Sequence, residues 1–379
     1  MGKYLLPVQL GMNRIVKGIS SAEWANCAVL DNGQVKCWGQ NAGQLGTSAV
    51  SDVGDGPGEM DALGSVDLGV GRSAKSVSLA ATHACAVLDN ASLKCWGAGK
   101  YGALGQDEAV DRPSPASLMP VNVGAGRTVQ TVSASNGQSC ALLDNGSAKC
   151  WGNGYFGSLS VSVSVVDLGD VDGYYYAIGD VPGEMELLPG LSFGNGHTAK
   201  SIVGGTNATC AILDDNSVRC WGADYRGEIG QESDQFISLD YIGKSPTELA
   251  ALPAVNLGTA RTAKMLSFGY SHVCAVLDNG SVKCWGGNES GQLGVGNTSD
   301  QGNDPGEMGD ALKAVPLGPG RTAHFVATGQ SHSCAILDNG TVVCWGLNDK
   351  GQLGLGNVTS VGDAGGLAGV SLTAVDLSF

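Results

Sequence analysis

At 379 residues the chain has room for two or three ordinary domains, and glycine is 60 of them, more than twice the usual fraction of about 7%. Charged residues are 15% and the formal charge is −15, which argues against nucleic acid and anionic membrane surfaces as partners, since both demand basic patches. Apolar residues at 42% exclude a disordered low-complexity chain, and no run approaches the roughly 18 apolar residues of a membrane span.

The N-terminal MGKYLLPVQLGMNR carries Lys3 and a short apolar run, but Pro7 and Gln9 interrupt it. It reads as folded protein, with any export signal absent from this sequence. Six near-identical hairpin units follow: CAVLDNGQVKCWG from Cys27, CAVLDNASLKCWG from Cys85, CALLDNGSAKCWG from Cys140, CAILDDNSVRCWG from Cys210, CAVLDNGSVKCWG from Cys274 and CAILDNGTVVCWG from Cys334. Successive first cysteines lie 58, 55, 70, 64 and 60 residues apart, so one repeat fills the chain and overrides the length prior. The fifth unit offers four strand segments, AVNL, AKMLSFG, CAVL and SVKCW, each bounded by Gly, Asn or Asp. No stretch keeps helical periodicity, so the fold class is all-β.

In LDNGS, Asp278 and Asn279 suit a type I turn and Gly280 the left-handed residue of a bulge. Leu277 then pairs with Ser281, which sets Cys274 opposite Cys284, at the 4.5–5.5 Å Cα separation of facing strand residues. The same count pairs Cys27 with Cys37, Cys85 with Cys95, Cys140 with Cys150, Cys210 with Cys220, and Cys334 with Cys344. Six disulfides are predicted. The alternatives are buried free thiols in a reducing cytosol, or a metal site, although the chain has no CxxC.

CAxLDNGxVxCWG followed by GQLG (Gly43–Gly46, Gly291–Gly294, Gly351–Gly354), with a GRTA-like step and SH-x-C before it, resembles the regulator of chromosome condensation repeat. The likeness is greatest to a secreted bacterial branch with paired cysteines, and it covers residues 4–379. The third copy departs from it (GSLS at Gly157–Ser160), and an insertion fills the linker at 158–186. The resemblance implies one β-propeller domain over 1–379, here of six four-stranded blades. A seven-bladed ring completed by a partner strand or blade is the alternative. It also implies that each outer strand comes from the following repeat. Blade six then takes AVDL (Ala374–Leu377) in a C-terminal closing strand, 371–379. PVQL, with Pro7, Val8 and Leu10 in the segment 1–11, is left as a spare strand. Those residues, with Val375 and Leu377, are candidates for assembly by β-strand addition, set against a frayed terminus.

No GxSxG, HExxH or phosphate-binding glycine loop appears, so no catalytic residue is assigned and the chain is read as no enzyme. His83, His272 and His332 each precede a hairpin cysteine by two residues, a structural position in the family. An Asp opens every turn (Asp31, Asp89, Asp144, Asp214, Asp278, Asp338), where it makes the turn. Arg14, Arg72, Arg127, Arg261 and Arg321, with Lys17, Lys75, Lys200 and Lys264, recur at fixed positions. They form either a basic collar or ion pairs with a neighbouring blade. Asp52, Asp55 and Glu59, and Asp300, Asp304 and Glu307, are candidates for calcium, set against solvated acidic loops; no other metal or cofactor is expected. Eight sequons occur, at Asn90, Asn145, Asn207, Asn279, Asn288, Asn297, Asn339 and Asn357.

These readings converge on a disulfide-stapled, extracellular or cell-surface propeller that binds a protein partner without catalysis. The alternative is a structural subunit that joins copies of itself into a filament or coat. A guanine-nucleotide exchange factor fits the acidic balance and the cysteine usage less well.

Overall fold

Short glycine-bounded apolar segments satisfy their backbone groups by pairing with one another. In the computed structural model, which describes residues 8–47, 51–161, 177–232, 241–363 and 372–376, they do so as six antiparallel sheets. The strands are β1 (Val16–Ser21), β2 (Ala25–Leu30), β3 (Val35–Gly39), β4 (Ala74–Leu79), β5 (His83–Leu88), β6 (Leu93–Gly97), β7 (Val129–Ser135), β8 (Gln138–Leu143), β9 (Ala148–Asn153) and β10 (Ala177–Ile178). They continue as β11 (Ala199–Gly204), β12 (Ala208–Leu213), β13 (Val218–Gly222), β14 (Ala263–Phe268), β15 (His272–Leu277), β16 (Val282–Gly286), β17 (Ala323–Thr328), β18 (His332–Leu337) and β19 (Val342–Gly346). Five sheets have three strands, a leading strand and the cysteine hairpin; the third, β10-β9-β8-β7, has four.

The hairpin turn follows from its residues. Leu277 N–H donates to Ser281 O at 2.9 Å, Gly280 N–H donates to Leu277 O at 2.9 Å, and Gly280 has φ +78°. Ala91 and Asn216 take the same left-handed position in the second and fourth turns, at φ +63° and +65°. Each cysteine pair is in direct register, and all six disulfides are present. Their Cα separations of 4.0–4.1 Å are tighter than the expected span and belong with the closer, non-hydrogen-bonded kind of antiparallel pair.

Four full strands per blade were expected, and here the structure differs. The fourth position is divided between two short segments. The outer-type segment meets the start of the hairpin's second strand, as where Val66 N–H donates to Val35 O, Val255 to Val218 O and Val375 to Val342 O, each at 2.8 Å. The linker meets its far end, through bridges such as Gly39 to Val53 and Gly286 to Gln301. Among the described residues, the linker pairs for two residues in the third sheet alone, as β10. Glycine and proline around both segments keep either from running the full edge.

The chain clusters into two compact units, one formed by Val8–Asn207 with Gly243–Ala250, the other by Ala208–Ile242 with Ala251–Phe379. In the first, the Cys27/Cys37 face of one sheet (with Val29, Val35 and Val66) packs on Ala84, Ala86, Leu88 and Trp96 of the next. In the second, Cys274, Val276, Val282 and Cys284 pack the same way on Ala335, Leu337 and Trp345. Each sheet thus has a cysteine face and a tryptophan face. Trp96, Trp151, Trp221, Trp285 and Trp345 are wholly buried, whereas Trp38 is half-exposed. Two glycines stand where the chain approaches too closely for a side chain. Gly294 (φ +70°) lies where a Cβ would come within 2.7 Å of Trp345 Nε1, and Gly286 (φ +100°) where it would meet Ser271 O at 2.5 Å.

Of the segments singled out in the sequence, Pro7 and Leu377 lie outside the described residues, as do 162–176 of the linker insertion. Leu10 is buried against Ala28, Leu30 and Leu63.

Candidate interaction surface

Each sheet has a turn end, carrying the LDNG-type loop, and a loop end, carrying the linker. At the turn end every recurring arginine pairs with the aspartate of its own hairpin: Arg14 with Asp31 (3.5 Å), Arg72 with Asp89 (3.2 Å), Arg127 with Asp144 (3.6 Å), Arg261 with Asp278 (3.1 Å) and Arg321 with Asp338 (3.2 Å). The same aspartates accept the N–H that begins the leading strand, as from Ser73 to Asp89 and Thr322 to Asp338, both at 3.3 Å. The Ser73 amide, then Arg72, hold the Asp89 carboxyl below its ordinary pKa. These pairs are partly exposed, and solvent screening leaves each with little net stabilisation.

The recurring lysines have a different origin. The register of the leading strand slips once in each of five sheets, and Lys17, Lys75 and Lys264 are the extra residues. Gln130 and His324 take the same place elsewhere. A bulge turns its spare side chain to solvent, and Lys17, Lys75 and Lys264 are exposed, as is Lys200 in β11. Lys264 Nζ reaches the Asp278 carbonyl at 2.6 Å.

The histidines lock sheet to sheet. His83 Nε2 lies 3.0 Å from Ser139 Oγ, and His272 Nε2 lies 2.9 Å from Ser333 Oγ. Both serines give their hydrogen to a carbonyl, Ala103 O at 2.9 Å and Gln292 O at 3.0 Å. The histidines are therefore the donors, through Nε2–H. Their Nδ1 atoms are buried without a partner. Burial lowers the pKa of His83 to about 4 and of His272 to about 3, the latter with help from His332. Both are neutral structural groups. A second lock escaped the sequence reading: the lysine before the second cysteine. Lys94 Nζ donates to Leu68 O (3.0 Å) and Pro115 O (2.9 Å), and Lys283 Nζ to Leu257 O (3.0 Å) and Gly309 O (2.8 Å). Burial lowers the pKa of both.

At the loop end, the linkers repeat the tetrapeptide PGEM, from Pro57, Pro182 and Pro305, and each copy is a carboxylate-capped turn. Glu59 accepts Gly54 and Gly56 N–H (2.8 and 2.9 Å), Glu307 accepts Gly302 and Asp304 N–H (2.8 and 3.0 Å), and Glu184 accepts Gly179 N–H (2.8 Å). Asp52 accepts Asn41 N–H at 2.8 Å and Asp300 accepts Asn288 N–H at 2.7 Å. Of the calcium candidates, Asp52, Glu59, Asp300 and Glu307 thus face amide hydrogens.

Within the second unit, the loop end gathers aromatic and charged groups. Tyr225 and Tyr270 are 51% and 57% exposed. Between them Arg226 pairs with Glu289 and with Asp300 (3.2 Å), and its chain packs beside Gly287 and Ser271. Nearby, burial raises the Glu228 pKa to about 7 against the Arg226 N–H that it accepts. A depression of about 110 Å³, lined by Gly351, Gly356, Asn357 and Val358, is well below the several hundred Å³ of small-molecule sites.

Three segments, 191–228, 266–292 and 324–352, match the family model of the Regulator of chromosome condensation (RCC1) repeat. Those three segments are similar to RCC1 repeats. Among curated proteins it is 26% identical over 285 residues to the ultraviolet-B receptor UVR8 of Arabidopsis thaliana, covering 74% of this chain and 55% of that protein. It is 23% identical over 286 residues to the guanine nucleotide exchange factor SRM1 of Saccharomyces cerevisiae, covering 69% and 54%. It is also 26% identical over 310 residues to the human E3 ubiquitin-protein ligase HERC2, covering 81% of this chain and 5% of that protein. The chain thus spans about half of the first and second of these and a small part of the third. Two solved structures share the fold: yeast RCC1 (Prp20) bound to Kap60, with TM-score 0.68 at 18% identity over 95% of this chain and 74% of that one, and human WBSCR16, with TM-score 0.67 at 17% identity over 97% and 83%. The described residues thus have an all-β, RCC1-like fold of six sheets, each stapled by one disulfide. The disulfides point to an oxidising compartment. No helix among the described residues is long and apolar enough to cross a membrane.

Proposed function

We propose that this propeller is a non-enzymatic, extracellular or cell-surface scaffold that binds a protein partner through its loop end. The observation that carries the reading is the Tyr225–Arg226–Tyr270 patch. Tyrosine and arginine are the residues that dominate binding hot spots, and here two tyrosines stand exposed, with a half-buried, ion-paired Arg226, on a disulfide-stapled frame. The buried groups with shifted pKa values support it from the other side: His83 and His272 are engaged in sheet-to-sheet bonds. The relatives support it too. A light receptor, a ubiquitin ligase and an exchange factor share no chemistry by name, and a common scaffold is what remains.

The test is quantitative retention of the protein's extracellular partner by the immobilised chain. The double variant Tyr225→Ala/Tyr270→Ala is expected to lose at least about tenfold in affinity. Arg261→Ala/Arg321→Ala, at the turn end, is expected to bind as the unaltered chain does. The reverse pattern overturns the assignment of the loop end, and turnover in a guanine-nucleotide exchange assay overturns the non-enzymatic reading.

A further inference from the structure

Seven segments of this chain, not six, have the outer-type sequence, and five share one geometry at their end. Gly69, Gly124, Gly258 and Gly318 end four of them at φ between +100° and +112°, and each accepts the N–H of the arginine three residues on. Gly11 does the same at φ +115°, with Arg14. Where the following sheet has a lysine before its second cysteine, that lysine closes on this glycine: a Cβ on Gly69 would lie 3.2 Å from Lys94 Nζ, on Gly258 3.2 Å from Lys283 Nζ, and on Gly11 3.9 Å from Lys36 Nζ. Val8–Gly11 therefore sits on the first sheet as an outer segment sits on the sheet after its own. The segments at Val66, Val121, Leu191, Val255, Val315 and Val375 each donate one N–H to a hairpin strand. The Val8 N–H has no such partner among the described residues, and Val8 is 53% exposed.

The sheets at the two ends are unlike the others in complementary ways. In the first sheet the open face is the tryptophan face. Ile19 is 64% exposed, Val16 is 44% exposed, and Asn26 and Trp38 are half-exposed. In the sixth it is the cysteine face, where His332, Cys334, Ile336 and Val342 are half-exposed while Ser333, Ala335 and Leu337 are buried. Every sheet-to-sheet contact described above joins a cysteine face to a tryptophan face. The fold itself states what covers each open side.

We propose that copies of this chain join end to end, the tryptophan face and Val8–Gly11 segment of one copy receiving the sixth sheet of the next. Val8 N–H takes the Val342 carbonyl in place of Val375 N–H, so one backbone bond replaces another. Trp38 Nε1 donates to the neighbouring copy's Gln352 carbonyl, as Trp345 does to Gln292 within the chain. Asn26 faces the neighbour's His332, where Ser139 and Ser333 meet their histidines. Because the two surfaces differ, the contact is heterologous and propagates into an open filament unless the rotation closes. The inference deepens the scaffold reading by naming one partner, and it uses a different surface from the tyrosine patch.

Sedimentation velocity of the oxidised chain, across two decades of concentration, reads the assembly. The weight-average mass is expected to rise to several times the 38.3 kDa of one chain. Val8→Pro, which removes the donated hydrogen, is expected to abolish the rise, and Val375→Pro, which removes its competitor, to increase it. Trp38→Arg and Ile336→Arg are each expected to be monomeric, while their equimolar mixture stops at a one-to-one dimer, since a single sound contact remains. Asn26→Arg replaces Trp38→Arg if the latter does not retain all six disulfides. A native chain that is monomeric throughout overturns the proposal. So does a Val8→Pro chain that still assembles, or a mixture that stays monomeric. Partner retention by the tyrosine patch in the Val8→Pro chain is scored separately, so either reading can fail alone.

Discussion

Trp345 Nε1 donates to the Gln292 carbonyl at 2.8 Å, and Ser333 Oγ donates to the same oxygen at 3.0 Å. One backbone carbonyl of the GQLG tetrapeptide thus ties two strands of the next sheet. Equivalent bonds run from Trp96 to Gln44, Trp151 to Ala103 and Trp285 to Glu228.

Trp345→Phe removes one of the two donors and leaves the carbonyl satisfied by Ser333. The expected loss is about 1 kcal/mol, the net worth of a single hydrogen bond. Trp345→Ala also empties a wholly buried site and is expected to cost about 3–5 kcal/mol. Urea denaturation of the two variants measures the difference.

His83 and His272 have folded pKa values of about 4 and about 3, below the ordinary 6.5. The unfolded chain therefore binds protons first as pH falls. Their contribution is intact above pH 6.5 and is lost progressively below it, down to the folded values, at about 1.4 kcal/mol per pH unit for each histidine. Glu228, with its pKa raised to about 7, acts with the opposite sign between 4.5 and 7. The measurable quantity is thus the difference between the native chain and His272→Gln, at pH 7, 6 and 5. The variant is expected to show a slope shallower by one proton. Equal slopes would remove the neutral buried imidazole from the account.

Native material is expected to contain no alkylatable thiol. The chain-entropy model assigns about 2.5–3 kcal/mol to a loop this short, and the hairpin is already local, so the real gain is smaller. Replacing Cys274 and Cys284 together by alanine is expected to lower stability by no more than about 3 kcal/mol and to leave the fold in place. Mass spectrometry under non-reducing conditions and thermal unfolding check the two halves.

Asn288 is wholly buried. Its Nδ2 donates to Asn297 O and Ser299 O, both at 2.9 Å, and its Oδ1 accepts Leu293 N–H at 3.0 Å. Asn297, nine residues on, is exposed. Produced in a glycosylating secretory host, the folded chain is expected to carry glycan at Asn297 and none at Asn288. Site-resolved glycopeptide mapping decides it.

The hairpins were legible because a three-residue turn admits one register, and that register puts Cys274 on Cys284. The leading strands were legible too, but not their bulges. Lys17, Lys75 and Lys264 recur because a bulge needs a residue to face water, and a recurring lysine looks the same in a sequence whether it bulges or binds. The arginines pair within their own hairpin, a choice of partner that depends on where the leading strand begins, some 16 residues from the aspartate. The split fourth edge was hidden for a related reason: each half makes only one or two bonds, too few to leave an alternating pattern. The repeated PGEM is plain in the sequence but its meaning is not, since capping by Glu59 depends on a turn geometry that four residues do not reveal. The tyrosine patch joins Tyr225 to Tyr270 from successive repeats, and nothing in either repeat signals the other.

Each sheet borrows its outer edge from the repeat that follows, as Val255 does for Val218 and Val315 for Val282. The stretch of sequence that recurs is therefore out of phase with the body that packs. When a gene duplicates one such stretch, the newcomer caps the edge before it and offers its own to the copy behind. No junction is left raw wherever the copy lands. Growth by whole repeats is thus safe for this architecture, and only the first and last copies face the question of what to hold.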